Sequence, residues 1–235
     1  MNIKIQLHTN RLGGKSLRDL AQGLSSKLGY KVWRSTKMPA KRRPLHYGFG
    51  VNKLAQYQWF EANEIPSLEY TTSIEKVKEW LSSQQTVFAR TLLQSSCGKG
   101  IVVLEPGVNW IPAAGVYTKY KKKLREFRVH CYKNKVVAVV EKRRKSSWTG
   151  GTDTKIRNLA NGYVFCQEVS DIPEGIQDLA LKACAVTNSD FNGVDIGYNT
   201  KTGLFVIEVN AAPGIQGTNL TSYINTIVSH EYQTI

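Results

Sequence analysis

Glu208 and Asn210 sit two residues apart in FVIEVNAAPGIQG (residues 205–217), where Phe205, Ile207 and Val209 alternate with Val206, Glu208 and Asn210. That alternation is strand periodicity. Side chains at i and i+2 of a strand point the same way, so the pair could be oxygen ligands of one hard cation. A strand with one wet face accounts for the same residues without any ion. Asp195, in GVDIG, precedes Glu208 by thirteen residues across a short hairpin. Cross-strand partners lie about 5 Å apart, so Asp195, Glu208 and Asn210 could converge on one or two Mg2+ ions. Magnesium takes few carboxylates and adds substrate phosphates, and two acids with an amide suit it better than they suit zinc.

A second stretch, ARTLLQSSCGKGIVV (89–103), reads as strand, polar turn, strand. Backbone N–H groups around Ser95, Ser96, Gly98 and Gly100 could approach phosphate oxygens, with Lys99 adding charge. The GxxxxGK[ST] spacing of a P-loop is absent, and a plain hairpin turn is the competing account. Arg128 alternates with Glu126 in REFRV, so both fall on one strand face, where a surface ion pair is the simple explanation. Arg157 and Asn158 stand in IRNLANG (156–162), an ordinary surface loop on its face.

These residues need elements to hold them. IKIQL (3–7) and YKVWR (30–34) read as strands around an amphipathic helix at 16–28, with Ser16 as N-cap. KMPAKRRPLHYGFG (37–50), rich in Pro, Gly and basic residues, reads as a linker or mobile loop. Helices follow at 51–63 and, capped by Ser73, at 73–81. Strands are expected at 86–90 and 100–105, then in GVYTKY, REFRVHCY and KVVAVVEKRR (115–144), the last two joined by Lys133-Asn134-Lys135. A helix at 173–189 leads to a hairpin of FNGVDIGYN and GLFVIEV around Thr200-Lys201-Thr202. NLTSYINTIVSHE closes the chain as a helix. Helices and strands alternate in groups, which predicts an α+β or α/β fold in more than one lobe.

The 235 residues suffice for one large or two small domains, and 41% hydrophobic content for a real core. No apolar run approaches a membrane span, and MNIKIQLHTN lacks the apolar core of a signal peptide. Cys97, Cys131, Cys166 and Cys184 form no CxxC pair, which suits free thiols in a reducing cytosol. The net charge of +14 is uneven. Residues 31–60 carry no acid, and residues 119–145 carry twelve Lys or Arg against Glu126 and Glu141. Such clusters attract polyanions, whether nucleic acid, nucleotide phosphates or an acidic peptide. A solvated face is the plain alternative.

The order of these pieces resembles an ATP-grasp carboxylate–amine ligase, closest to the branch that contains the ligase adding glutamate to a ribosomal protein. The matching pieces are VNKLAQYQWFEANEIP, VFARTLLQSSCGKGIVVL, REFRVHCYKNKVVAVVEKRR, IRNLANG, NGVDIGY and FVIEVNAAPGIQGTN, covering about residues 51–230. The resemblance implies two α+β subdomains clamping ATP, at 51–116 and 117–235, behind a short N-terminal α/β region with its basic linker at 1–50. It implies that Asp195, Glu208 and Asn210 hold Mg2+, one or two ions with Mn2+ able to substitute, against the ATP phosphates. Lys53, Arg90, Ser95, Ser96, Gly98, Lys99, Lys119 and Tyr120 become the ATP-binding set. Arg128, Arg157 and Asn158 face the transferring phosphoryl group and the carboxylate.

The chain departs from the family pattern in three places. Arg90 stands where a lysine is usual, the hinge Tyr117-Thr118-Lys119-Tyr120 lacks the frequent acid, and the leading domain is short. The implied reaction joins a carboxylate to an amine through an acyl phosphate, on an acceptor such as an acidic peptide or protein tail, in the cytoplasm. The rival expectations are a nucleic-acid-binding protein with a degenerate ATP site, using its basic patches, and a phosphotransferase on the same scaffold.

Overall fold

The computed structural model describes residues 4–94, 98–151 and 154–232. Its first strand, β1 (Ile5–Thr9), leads into α1 (Lys15–Leu28). Leu17, Leu20, Ala21 and Leu24 recur at helical spacing and are buried. The helix ends at Gly29, whose left-handed backbone lets its N–H reach the Ser25 carbonyl. Ser16 is not the N-cap. Gly14 holds that position without a side-chain cap, and the Ser16 hydroxyl accepts the Ile215 N–H instead.

The strand expected at 30–34 does not form over 30–33; a two-residue strand, β2 (Arg34–Ser35), stands at its end, and the expected mobile linker contains β3 (Arg43–Tyr47). Both lie parallel to β1 in the order β2-β1-β3. Pro44 is tolerated because β3 is an edge strand. Alternate apolar residues, Leu45 and Tyr47, decide the matter by turning into the core.

The middle of the chain runs α2 (Lys53–Ala62), β4 (Tyr70–Thr71), α3 (Ile74–Ser82), β5 (Val87–Arg90), β6 (Ile101–Leu104) and β7 (Val116–Lys119). Asn52 and Ser73 cap α2 and α3 by accepting the Ala55 and Lys76 N–H groups. The strands form a sheet ordered β4-β7-β5-β6. Val77, Trp80 and Leu81 of α3 cover one face by packing on Val87, Ala89 and Tyr117. Phe88 and Arg90 therefore point to the other face. The expected 116/117 boundary falls inside β7, an inner strand of this sheet paired with β4 and β5.

A five-stranded antiparallel sheet follows, ordered β10-β9-β8-β11-β12. Its strands are β8 (Arg125–Tyr132), β9 (Lys135–Arg144), β10 (Tyr163–Cys166), β11 (Phe191–Asn199) and β12 (Gly203–Asn210). Strand β10 was not anticipated, and the helix expected at 173–189 contracts to α4 (Ile176–Cys184). Ile176, Leu179, Ala180 and Ala183 of α4 pack on Phe127, Val129, Val194, Ile196 and Val206. The alternate residues Glu126, Arg128 and Asp195 consequently face away from α4.

The closing helix α5 (Thr218–Tyr232) fills the junction between this sheet and the N-terminal one. Its Tyr223 and Ile227 pack with Leu20, Leu24, Tyr132 and Phe191. A Cβ on Gly23 of α1 would stand 2.3 Å from the Ile224 side chain, so glycine permits the close approach of α1 and α5.

Candidate active site

The inner faces of the four- and five-stranded sheets enclose a cavity of about 560 Å3. One end is apolar, walled by Leu68, Phe88, Tyr120, Phe205 and Ile207. The Phe88 and Tyr120 rings lie 5.4 Å apart, and Lys121 Nζ stands 4.6 Å over the Phe205 ring. The other end is charged. Nine lysines and arginines among the described residues line the cavity against only Glu126, Asp195 and Glu208. Such a site favours a polyanion with one flat apolar part.

The charged end is built on strand register. Asp195 stands opposite Glu208 on one side and opposite Arg128 on the other. Arg128 donates Nε to Asp195 Oδ1 at 2.6 Å and Nη2 to Oδ2 at 2.8 Å. Lys142 bridges Asp195 Oδ2 at 3.0 Å and Glu126 Oε1 at 2.6 Å. Burial opposes the charge on Asp195, but Arg128 and then Lys142 outweigh it and hold this carboxyl well below the usual carboxylate range. Burial also works against Lys142, and Asp195 with Glu126 overcomes it, so the ammonium is held charged.

Glu208 takes the ammonium of Lys53 on Oε2, and Asn210 donates Nδ2 to its Oε1 at 3.1 Å. Burial again opposes ionisation, and Lys53 outweighs both it and the repulsion of Asp195, so the carboxyl titrates below its ordinary range. Lys53 reaches the site from the first turn of α2. That helix is fastened to β12 by Gln56, which donates to the Val209 carbonyl at 3.0 Å and accepts the Val209 N–H at 2.9 Å. Gln56 acts there as one rung of an added strand.

Some donors at the charged end are unsatisfied. Arg90 is 5% exposed, and its Nε has no hydrogen-bond partner among the described residues. Arg157 donates Nη2 to the Lys123 and Leu124 carbonyls at 3.1 Å each, and its Nε is likewise unmatched. Buried donors of this kind call for an acceptor. Gly98 adopts φ +78 at the turn after β5 and approaches the loop containing Asn158 so closely that a Cβ would stand 3.0 Å from Asn158 Nδ2.

Lys53, Arg90, Gly98, Lys119, Tyr120, Arg128, Arg157, Asn158, Asp195, Glu208 and Asn210 thus line one cavity. Lys99 is exposed and stands outside the lining. Ser95 and Ser96 lie outside the described residues. The expected Glu126–Arg128 surface pair does not form; Glu126 is buried and pairs with Lys142 and Lys123. Sequence reasoning missed Lys142, counted only as part of a basic cluster, and Phe165, whose ring lies 4.5 Å from the Arg128 guanidinium carbon.

The residues fit a hard divalent cation. Two ionised carboxylates and an amide are the oxygen donors magnesium accepts beside phosphate. The Lys53 ammonium already stands as a cation on Glu208.

Solved structures share this architecture. The ATP-grasp ligase PsnB, complexed with a minimal precursor, superposes with a TM-score of 0.67 at 9% identity, over 97% of this chain and 99% of PsnB. D-alanyl-alanine synthetase A from Vibrio cholerae O1 biovar eltor str. N16961 gives 0.60 at 14% identity, over 100% and 99%. The RimK domain protein ATP-grasp from Sphaerobacter thermophilus DSM 20745 gives 0.59 at 12% identity, over 97% and 98%. The two facing sheets are therefore those of the ATP-grasp fold. Within it, residues 115–229 match the family model described as the RimK-like ATP-grasp domain. A probable alpha-L-glutamate ligase of Enterobacter sp. (strain 638) is 34% identical over 102 residues, 43% of this chain. The matched part amounts to 31% of that relative's length.

Proposed function

We propose that this chain is an ATP- and Mg2+-dependent ligase that joins a carboxylate to an amine, extending a peptide, a protein tail or another macromolecular acceptor. The observation that carries this reading is the junction of Asp195, Glu208 and Asn210 with Arg128 and Lys142 at the charged end of a cavity whose other end fits a flat apolar ring. Residues 51–116 and 117–235 serve as the clamping halves, and 1–50 as the acceptor-side region.

Tyr120, Phe88, Phe205 and Ile207 receive the base, with the chain between Lys119 and Lys121 as hinge. Lys53, Arg90 and the Gly98 turn receive the phosphates. Asp195, Glu208 and Asn210 would hold Mg2+, or Mn2+ with the same oxygen preference, which would supply screening of phosphate charge and polarisation of the phosphoryl group. Arg128 and Arg157 bring the substrate carboxylate and the γ-phosphate together against their mutual repulsion. The carboxylate oxygen attacks phosphorus, ADP leaves, and an acyl phosphate results. The amine then attacks the acyl carbon, phosphate leaves with the former carboxylate oxygen, and the amine gives up one proton. Asn158 and Arg157 steady the acyl phosphate between the steps, and the Gly98 turn keeps water away from it.

The free thiols Cys131, Cys166 and Cys184 suit a cytoplasmic setting. No helix among the described residues is long and apolar enough to cross a membrane.

The test is ADP release with Mg2+ across a panel of amino acids, acidic peptides and polyamines, with mass spectrometry of the acceptor. A carboxylate–amine pair that triggers ADP release, and an acceptor that gains the added unit less water, establish the ligase. Turnover that leaves a stable phosphorylated product establishes a phosphotransferase instead.

A further inference from the structure

Residues 20–60 contain no Asp or Glu, and seven of their cations, Lys27, Lys31, Arg34, Lys37, Lys41, Arg42 and Arg43, stand outside the ATP cavity. Among the described residues only Arg43 of these seven makes a salt bridge. Its partner is Glu231, whose side chain is 1% exposed and also receives Lys133. This carboxylate is sunk beneath two cations, Arg43 and Lys133.

The fold gathers these charges at one edge. Arg43 N–H reaches the Lys4 carbonyl, and Arg42 Nη1 approaches the Lys31 carbonyl at 3.4 Å. Ala40, Lys41, Arg42 and Arg43 line a shallow depression there. Beside it Trp33 is 47% exposed, with Lys31 Nζ 3.9 Å over its ring, and Met38 is 61% exposed. Exposed Trp, Met and Arg are residue types enriched at interfaces.

This edge is the far end of β3 from the cavity. The strand begins at Arg43 and ends at Tyr47, whose hydroxyl donates to the Pro213 carbonyl at 2.9 Å, just past the Asn210 ligand position. Five residues of strand span about 16 Å. A peptide bridging edge and cavity therefore needs roughly five residues of extended chain.

We propose that this edge docks an acidic polypeptide, the acceptor itself, and holds it while a residue roughly five or more positions away enters the cavity. The proposal rests on the ligase reading for the identity of the acceptor. Carboxylates of the peptide meet Lys31, Lys41 and Arg42, and an apolar residue meets Trp33 and Met38.

The test is fluorescence anisotropy of the full chain with a labelled glutamate-rich peptide at low and physiological salt. Binding should weaken about tenfold in the Lys41→Glu/Arg42→Glu protein and severalfold in Trp33→Ala, with salt weakening the wild type most. Melting temperature and nucleotide affinity should match wild type in both variants, because none of these residues lines the cavity. Glu208→Ala should keep full peptide binding, which separates failure of docking from failure of catalysis. Equal peptide binding by the charge-reversed and wild-type proteins overturns the proposal. So does a single-stranded RNA of equal charge that displaces the peptide at lower concentration.

Discussion

The guanidinium of Arg128 grips the carboxylate of Asp195 through two parallel hydrogen bonds of 2.6 and 2.8 Å, in the middle of a sheet. A lysine cannot reproduce that fork. Arg128→Lys should lower ATP-dependent amide formation by about 10²–10³-fold, the usual loss for one transition-state donor, measured as initial ADP release. Arg128→Ala should in addition cost about 3 kcal/mol of stability by leaving Asp195 short of a partner, read from urea denaturation.

Glu208→Gln keeps the shape of the side chain and removes its charge. Lys53, 8% exposed, then loses its anionic partner and competes for phosphate alone. Mg2+-dependent enhancement of nucleotide affinity should vanish while metal-free nucleotide binding persists or tightens. Titration calorimetry with and without Mg2+ distinguishes this from simple unfolding.

Phe165 is 42% exposed, yet its ring lies 4.5 Å from Arg128 and 5.5 Å from Lys142 Nζ. Its ring stands on one side of both cations while Asp195 holds them on the other, the placement of a positioning residue. Phe165→Leu keeps bulk and loses the ring face, worth about 0.5–2 kcal/mol. The rate constant kcat should fall up to about tenfold with KM for ATP unchanged. A rise in KM alone would show instead that the ring only lines the cavity.

Gly98→Ala forces a side chain into a left-handed position and against Asn158. The backbone cost is about 1–2 kcal/mol, so KM for ATP should rise by about tenfold, and the melting temperature should fall by roughly 2–8 °C. Steady-state kinetics and a thermal melt check both halves.

His130 lies 3.3 Å from the Tyr223 hydroxyl and from Asn219, with Arg128 and Asp195 as its charged neighbours. Burial first, and then Arg128, push its pKa from 6.5 down to about 4. The unfolded imidazole thus takes a proton near pH 6.5 and the folded one only near pH 4. Stability should be lost as pH falls between these values, by up to about 3 kcal/mol from this group. His130→Gln should flatten that part of the profile, measured as the urea midpoint from pH 7.5 to pH 4.5.

The local elements were legible in the residues themselves. Strand alternation marked REFRVHCY and KVVAVVEKRR to the residue, helical spacing marked α1, and Ser73 marked the start of α3, because each depends only on neighbours within a turn or a pleat. The acid–amide spacing of Glu208 and Asn210 and the order of the pieces marked the candidate site. Linker composition misled at 37–50, where Pro and basic residues outweighed the Leu45–Tyr47 alternation that places β3 in the core.

What only the tertiary structure decided is which side chains share a face. Counting back from the Thr200–Thr202 turn sets Asp195 against Ile207, which would send Glu208 to the α4 side of the sheet. A bulge at Ile207 shifts the register by one residue, so Asp195 faces Glu208, and Phe205 joins them on the same face. Counting back from the turn after Tyr132 likewise sets Glu126 against Glu141. A bulge at Val137 sets Phe127 against Glu141 and so brings Lys142 beside Glu126 and Asp195. A bulge depends on packing across the whole sheet, against α4 on one side and the cavity on the other. The sequence by itself determined the strands and the chemistry they carry; the three-dimensional packing alone aimed that chemistry into one cavity.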